Sequence, residues 1–246
     1  MKRLFLLSMM LLVLIAPSSA QKTYALICGV SKYSDPTGGC IDLKHPAKGA
    51  KTMKKIYSEI GAVPVLLTSK YVTQENVLDK LNSIVKIAKP EDKIIFHFIG
   101  HGSAGNIYFY QGKAFPYTTL IQTLGKARTN NILCVIDACH SGSAIQTASA
   151  EYPDLKGAQP VFLMACRANE STGENGALAS PIFTLALAKG IRGRADANSD
   201  RKVSIMELFK YVHSDVSSRG KSMGWQVHPQ LLGNSKQFET VISELR

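Results

Sequence analysis

KIIFHFIGHGS (residues 93–103) and NILCVIDACHSGS (residues 131–143) are the two stretches that decide how this chain folds. Each opens as a continuous apolar run, the pattern of a strand buried on both faces at the centre of a parallel sheet. Each then breaks into small and reactive residues: glycine, histidine, cysteine and serine. In an open α/β sheet, ligand sites gather beyond the carboxyl ends of the strands. If the two strands are neighbours, their motifs meet at one rim.

Working outward, similar short runs recur at Tyr24–Val30, Ala62–Leu67 and Val161–Cys166, joining Lys93–Ile99 and Ile132–Ile136. Helical periodicity marks most of the segments between them: Pro46–Ile60, Thr73–Ala88, Tyr117–Ala127, Pro181–Lys189 and Ser204–Ser217. Pro46 and Pro181 suit first-turn positions, and Thr73 suits an N-cap. The alternation predicts an α/β fold with helices covering a parallel sheet.

His101 stands between Gly100 and Gly102, beyond a strand that has no need of it. Cys139 follows Asp137 and Ala138 at the end of the next strand and precedes His140, Ser141 and Gly142. An imidazole beside a thiol can raise its thiolate fraction or take its proton during attack on a carbonyl, so the two residues are candidates for base and nucleophile. The backbone N–H groups of Gly102 and Cys139 are candidates for an oxyanion hole. His140, adjacent to the nucleophile, is expected to point away from the thiol. Asp137 is read either as a buried structural carboxylate or as part of a substrate pocket.

At these residues the chain resembles the metacaspases and their bacterial caspase-like relatives, which share a fold with caspases and legumains. HFIGHGS and VIDACHSGS resemble the family's histidine and cysteine motifs. YALICGVSKY is similar to its first strand, LMACRANE to the strand after the cysteine, and DANSDRKVSIMELFKYV to a segment near its C-terminus. The resemblance implies a caspase-like three-layer sandwich, with a central, mostly parallel sheet and helices on both faces. It also implies endopeptidase activity on protein or peptide substrates through a cysteine–histidine dyad, carried here onto His101 and Cys139.

The family cleaves after arginine or lysine through an acidic pocket. Of that pocket, Asp137 is present, Ile99 replaces a serine, and Gly49 falls where a second aspartate is usual; a shifted alignment would bring Asp42 there instead. One carboxylate beside an isoleucine holds a buried guanidinium less well than two, because a desolvated cation needs paired acceptors. The calcium-activating aspartates of the family are not recognisable, and no cofactor is expected.

Several other patterns have competing readings. Gly100, Gly102 and Gly105 satisfy GxGxxG, but NIYFYQGKAF after them is not helical, so no helix N-terminus would face a pyrophosphate. Asp196, Asn198, Asp200 and Glu207 fit positions one, three, five and twelve of a calcium loop, with Arg201 where glycine belongs; Ser204 and Glu207 also fit a capping box. Lys44, Lys48, Lys51 and Lys55 form a helical stripe, either a solvated face or a surface for nucleic acid or membrane. No nucleic-acid motif or aromatic stacking surface accompanies it, so no nucleic-acid partner is expected.

Lys2 and Arg3 lead into an apolar run from Leu4 to Ala16 and then Pro17, Ser18, Ser19 and Ala20, the pattern of a secretory signal over residues 1–20. At 13 residues the run is too short to span a bilayer core of roughly 30 Å. The expected mature chain, residues 21–246, is one caspase-like peptidase domain, secreted or periplasmic, without stable membrane insertion. Losing Lys2 and Arg3 takes the formal charge from +11 to +9, and the sequence leaves the oligomeric state open. Five cysteines are an odd number for a disulfide-permitting compartment. Cys28, Cys134 and Cys166 lie in apolar runs and are read as buried; none of the five has CxxC spacing, which argues against zinc. The polar stretch Ser143–Gln159, which contains Lys156, is expected to be a mobile loop at the substrate cleft that is cut during maturation.

Overall fold

A computed structural model describes residues 20–34, 39–154, 157–170 and 179–245. The signal segment up to Ser19 and Lys156 lie outside the described residues. The elements run β1 (Thr23–Gly29), α1 (Pro46–Glu59), β2 (Val63–Thr68), α2 (Gln74–Ile87), β3 (Lys93–Ile99), β4 (Gly102–Ser103), β5 (Asn106–Tyr108), β6 (Ala114–Pro116), α3 (Tyr117–Leu124) and β7 (Ile132–Asp137). They continue with α4 (Ala144–Glu151), β8 (Val161–Met164), α5 (Ala179–Lys189), β9 (Lys202–Ser204), α6 (Ile205–Ser222), β10 (Gln230–Leu232), α7 (Ser235–Phe238) and β11 (Val241–Glu244).

Six strands form the central sheet in the order β10-β8-β7-β3-β1-β2. Five of them are parallel, and β10 closes the β8 edge in the antiparallel sense. The two decisive strands are neighbours, in a register that pairs Ile99 with Asp137. That register is set by burial on both faces. Leu26, Cys28, Phe96, Phe98, Cys134 and Ile136 point into one core layer with α2, α3 and α4, while Ala25, Ile27, Ile95, Ile99, Leu133 and Val135 point into the other with α1, α5 and α6. A slip of one residue would exchange the two sets, so each layer fixes the other. Fully burying one such side chain contributes roughly 1.5–3 kcal/mol, which makes a register change costly at several positions at once.

The helices begin where local chemistry allows. Thr73 caps α2 by accepting from the Asn76 N–H at 3.2 Å. Pro46 opens α1, and Pro181 lies in the first turn of α5. The expected mobile loop after Cys139 is mostly helical instead: a tight turn at Ser141–Ser143 leads into α4, and a second turn follows at Tyr152–Asp154. The apolar stripe of α4 consists of Ala144 and Ala148, both fully buried, and residues this small make a segment read as polar. Strands β4 to β6, β9 and β11 have two to four residues each, too short for periodicity to reveal.

Candidate active site

Because β1, β3 and β7 are parallel neighbours, the segments that leave their carboxyl ends share one rim. β3 leaves into Gly100 and His101, and β7 into Ala138 and Cys139. The Gly100 N–H donates to the Asp137 carbonyl at 3.2 Å, extending the strand pairing one residue beyond the sheet. At Gly102 a side chain has no room: a Cβ there would lie 2.6 Å from the Cys139 carbonyl oxygen and 2.8 Å from the Ala138 Cβ. The backbone after His101 is therefore packed directly on the backbone of the cysteine turn. Ser143 ties the same two segments, its Oγ accepting from the Gly105 N–H at 2.9 Å.

His101 is held from the β1 side. Its Nε2 lies 2.8 Å from the Ile41 carbonyl oxygen, and its backbone N–H donates to the Tyr33 hydroxyl at 3.0 Å. The Tyr33 ring packs on the imidazole with centroids 5.0 Å apart. A carbonyl can only accept, so Nε2 carries the proton of the neutral ring and Nδ1 is the basic nitrogen. Burial pushes the Tyr33 phenol well above its ordinary range, outweighing the His101 N–H that favours the ionised form. Tyr33 stays a neutral support at any working pH.

All five cysteines are thiols, and Cys139 alone of them is partly exposed; Cys28, Cys40, Cys134 and Cys166 are buried. Burial raises the pKa of Cys28, Cys40 and Cys134, and it takes Cys166 to about 11 despite bonds from Ser141 that oppose the rise. These four stay protonated and inert at neutral pH. The His140 imidazole is engaged by the segment after β8: its Nδ1 donates to the Ala168 carbonyl at 2.9 Å.

The three residues singled out for a substrate pocket are not equivalent. Asp137 is buried, 2% exposed, and accepts the Thr184 hydroxyl at 2.9 Å. Ile99 is fully buried, and a Cβ on Gly49 would lie 3.2 Å from its Cδ1 and 3.5 Å from the Thr184 Oγ1. Asp137, Ile99, Gly49 and Thr184 thus form one group below the rim. Asp42 lies apart from them on the exposed loop beside His101, accepting from the Tyr33 N–H at 3.0 Å and from the Lys32 ammonium at 2.7 Å. The Lys32 hydrogen bond is the main reason its carboxyl sits below the usual range. Its carboxylate staples the loop that carries both Tyr33 and Ile41.

The calcium-like segment lies far along the chain, at the start of α6. Glu207 and Ser204 form a reciprocal capping box, and the second Glu207 oxygen accepts from the Ala197 N–H at 3.3 Å. Asp196 and Asp200 accept from the backbone N–H groups of Arg201 and Lys202. Among the described residues, no group of three or more His, Cys, Asp or Glu side chains could hold a metal ion.

Sequence reasoning missed Tyr33, the Ile41 carbonyl, Thr184 and Ser143. Tyr33 and Ser143 left a signal, as the last residues of the YALICGVSKY and VIDACHSGS segments. The others become neighbours of the site through strand order alone.

No curated protein matches this chain. Among solved structures, the crystal structure of protein GSU0716 from Geobacter sulfurreducens superposes with a TM-score of 0.64 and 17% identity, covering 92% of this chain and 100% of that one. At that identity the likeness shows the fold alone. A family model described as the Peptidase C13 family matches residues 44–228, a span that holds the GHG and DACHSG motifs, the group below the rim and His228. By that match the chain belongs to the peptidase C13 family, a caspase-like family of cysteine peptidases.

Proposed function

We propose that this protein is a secreted cysteine endopeptidase in which Cys139 is the nucleophile and His101 the base. The observation that carries the proposal is the Ile41 carbonyl 2.8 Å from His101 Nε2, which leaves Nδ1 as the basic nitrogen on the same rim as the one partly exposed thiol. In the first half-reaction Nδ1 takes the Cys139 proton while Sγ bonds to the substrate carbonyl carbon. The N–H groups of Gly102 and Cys139 stabilise the oxyanion. The imidazolium then gives its proton to the leaving amine, and a thioester remains. Water, deprotonated by His101, attacks the thioester, releasing the acid and restoring the thiol.

The resemblance to metacaspases favours cleavage after arginine or lysine. The group below the rim favours an uncharged residue. Asp137 is its single carboxylate and already accepts from Thr184, with Ile99 and Gly49 as apolar neighbours. No metal or other cofactor enters the reaction. Export rests on the N-terminal sequence pattern, and no described helix is long and apolar enough to cross a membrane.

Labelling with an iodoacetamide probe, read by peptide mass spectrometry, tests the dyad. Selective modification of Cys139 that is lost in His101→Ala is the expected outcome. Five equally sluggish thiols would favour a catalytically silent binding module. A fluorogenic peptide panel tests the pocket: Ala or Leu substrates should match or exceed Arg and Lys, and a strong preference for Arg or Lys would reinstate the basic pocket.

A further inference from the structure

Beyond the dyad, the segment after β8 carries a polar cluster that no step of the proposed reaction uses. Residues 167–170 form a turn, closed by the Glu170 N–H on the Arg167 carbonyl at 3.2 Å. This turn grips the residue that follows Cys139. The His140 N–H donates to the Glu170 carbonyl at 3.0 Å, and the His140 imidazole donates to the Ala168 carbonyl at 2.9 Å. His140 needs such a grip, because its φ of 54° lies in the left-handed region that non-glycine residues rarely occupy. Gly142, two residues further on, lies so close that a Cβ would come within 2.6 Å of the Ala168 nitrogen.

The turn is in turn locked by its own carboxylate. Glu170, with its side chain 11% exposed, accepts from the Arg167 N–H at 3.1 Å and from the His228 N–H at 3.0 Å, and its Oε1 lies 2.6 Å from His228 Nδ1. Burial alone would raise the carboxyl pKa, but the donors from Arg167 and His228 together hold it below its ordinary value. His228 comes from the C-terminal segment that leads into β10, nearly sixty residues away in the chain. A continuous path of hydrogen bonds therefore joins His228 to Glu170, Glu170 to His140, and His140 to the nucleophile turn.

We propose that Glu170 and His228 are positioning residues, a clasp that holds the Cys139 turn in its reactive geometry. The proposal rests on the peptidase reading of Cys139. The clasp touches no reacting atom. It acts through the backbone of His140, fixing the direction of the Cys139 N–H and Sγ, and misplacement by about 1 Å can cost on the order of a hundredfold in rate.

The test compares Glu170→Ala, His228→Ala, His228→Asn and Glu170→Gln with the full-length wild type on the best peptide of the panel, with near-UV circular dichroism as a check on folding. Asn at 228 can place an amide N–H near the position of Nδ1. Expected is a fall in kcat of about tenfold or more in both alanine variants, with KM within about twofold, and recovery of at least about half of wild-type kcat in His228→Asn. A kcat within twofold of wild type in His228→Ala overturns the clasp, as does a His228→Asn variant as slow as His228→Ala. If the alanine variants do not fold, Glu170→Gln, which keeps the shape and removes the charge, carries the comparison, and an unchanged kcat there overturns it. If the wild type cleaves no peptide, the peptidase reading fails by itself. The clasp is then read from the rate of Cys139 alkylation by iodoacetamide: slower labelling in both alanine variants supports it, and equal rates overturn it.

Discussion

The Tyr33 hydroxyl accepts the backbone N–H of His101 at 3.0 Å while its ring packs on the same residue's imidazole. One side chain from the loop after β1 thus supports the candidate base at two points. Tyr33→Phe keeps the ring and removes the acceptor. Leaving that N–H unsatisfied should destabilise the protein by about 1–3 kcal/mol, measured by urea unfolding, and lower kcat more than it raises KM. Unchanged kcat would show that the Ile41 carbonyl holds the imidazole unaided.

Gly102→Ala should be far more damaging than an ordinary surface substitution. Its Cβ would have to enter space held by the Cys139 carbonyl and the Ala138 Cβ, and backbone cannot rotate aside as a side chain can. The expected outcome is loss of peptide cleavage by about a hundredfold or more, with slowed alkylation of Cys139. Wild-type cleavage in this variant would mean that the cysteine turn adapts and that the close backbone packing at Gly102 is not required for the reaction.

Acid should destabilise the fold before its carboxylates titrate. His97 is fully buried in β3, with Nδ1 3.0 Å from the Tyr57 hydroxyl and Nε2 without a partner, and burial lowers its pKa from 6.5 to about 3. The unfolded chain binds this proton first. The stability His97 contributes is therefore fully present above about pH 6.5 and is lost as the pH falls toward 3, at up to about 1.4 kcal/mol per pH unit. Glu170 and Glu207, both held below the ordinary 4.5, add their losses only at lower pH. Urea midpoints at pH 7, 6 and 5 should fall in the wild type and stay flatter in His97→Gln, whatever that variant's absolute stability. Parallel slopes would assign the acid sensitivity elsewhere.

Ser204→Ala removes one half of the capping box at the start of α6. The expected cost is about 1 kcal/mol, a fall in melting temperature of about 2–4 °C for a chain of this size. Chelation by EDTA should leave both the melting temperature and peptide cleavage unchanged. A calcium-dependent rise in melting temperature, abolished in Asp196→Asn, would instead make the segment a cation loop.

The five parallel strands of the central sheet, most helices and the placement of His101 and Cys139 beyond the ends of two of those strands were legible in the sequence, because continuous apolar runs and glycine-flanked reactive residues are local signals. The helix after Cys139 was not. Its buried stripe is alanine, whose small apolar area hardly departs from a polar background. The fate of the candidate carboxylates was equally hidden: Asp42 and Asp137 look alike in sequence, yet one staples an exposed loop through Lys32 and the other is buried on Thr184.

By itself, then, the sequence determined the α/β fold, the two motifs and the rim to which they are carried. These follow from burial periodicity and chain direction, which act over a few residues. Only the tertiary structure decided which nitrogen of His101 is basic, which carboxylate lies below the site, and that Glu170 and His228 grip the turn after Cys139. Each of those depends on a hydrogen bond between residues far apart in the chain, and strand order, which no local pattern encodes, is what brings the partners within 3 Å or so of one another.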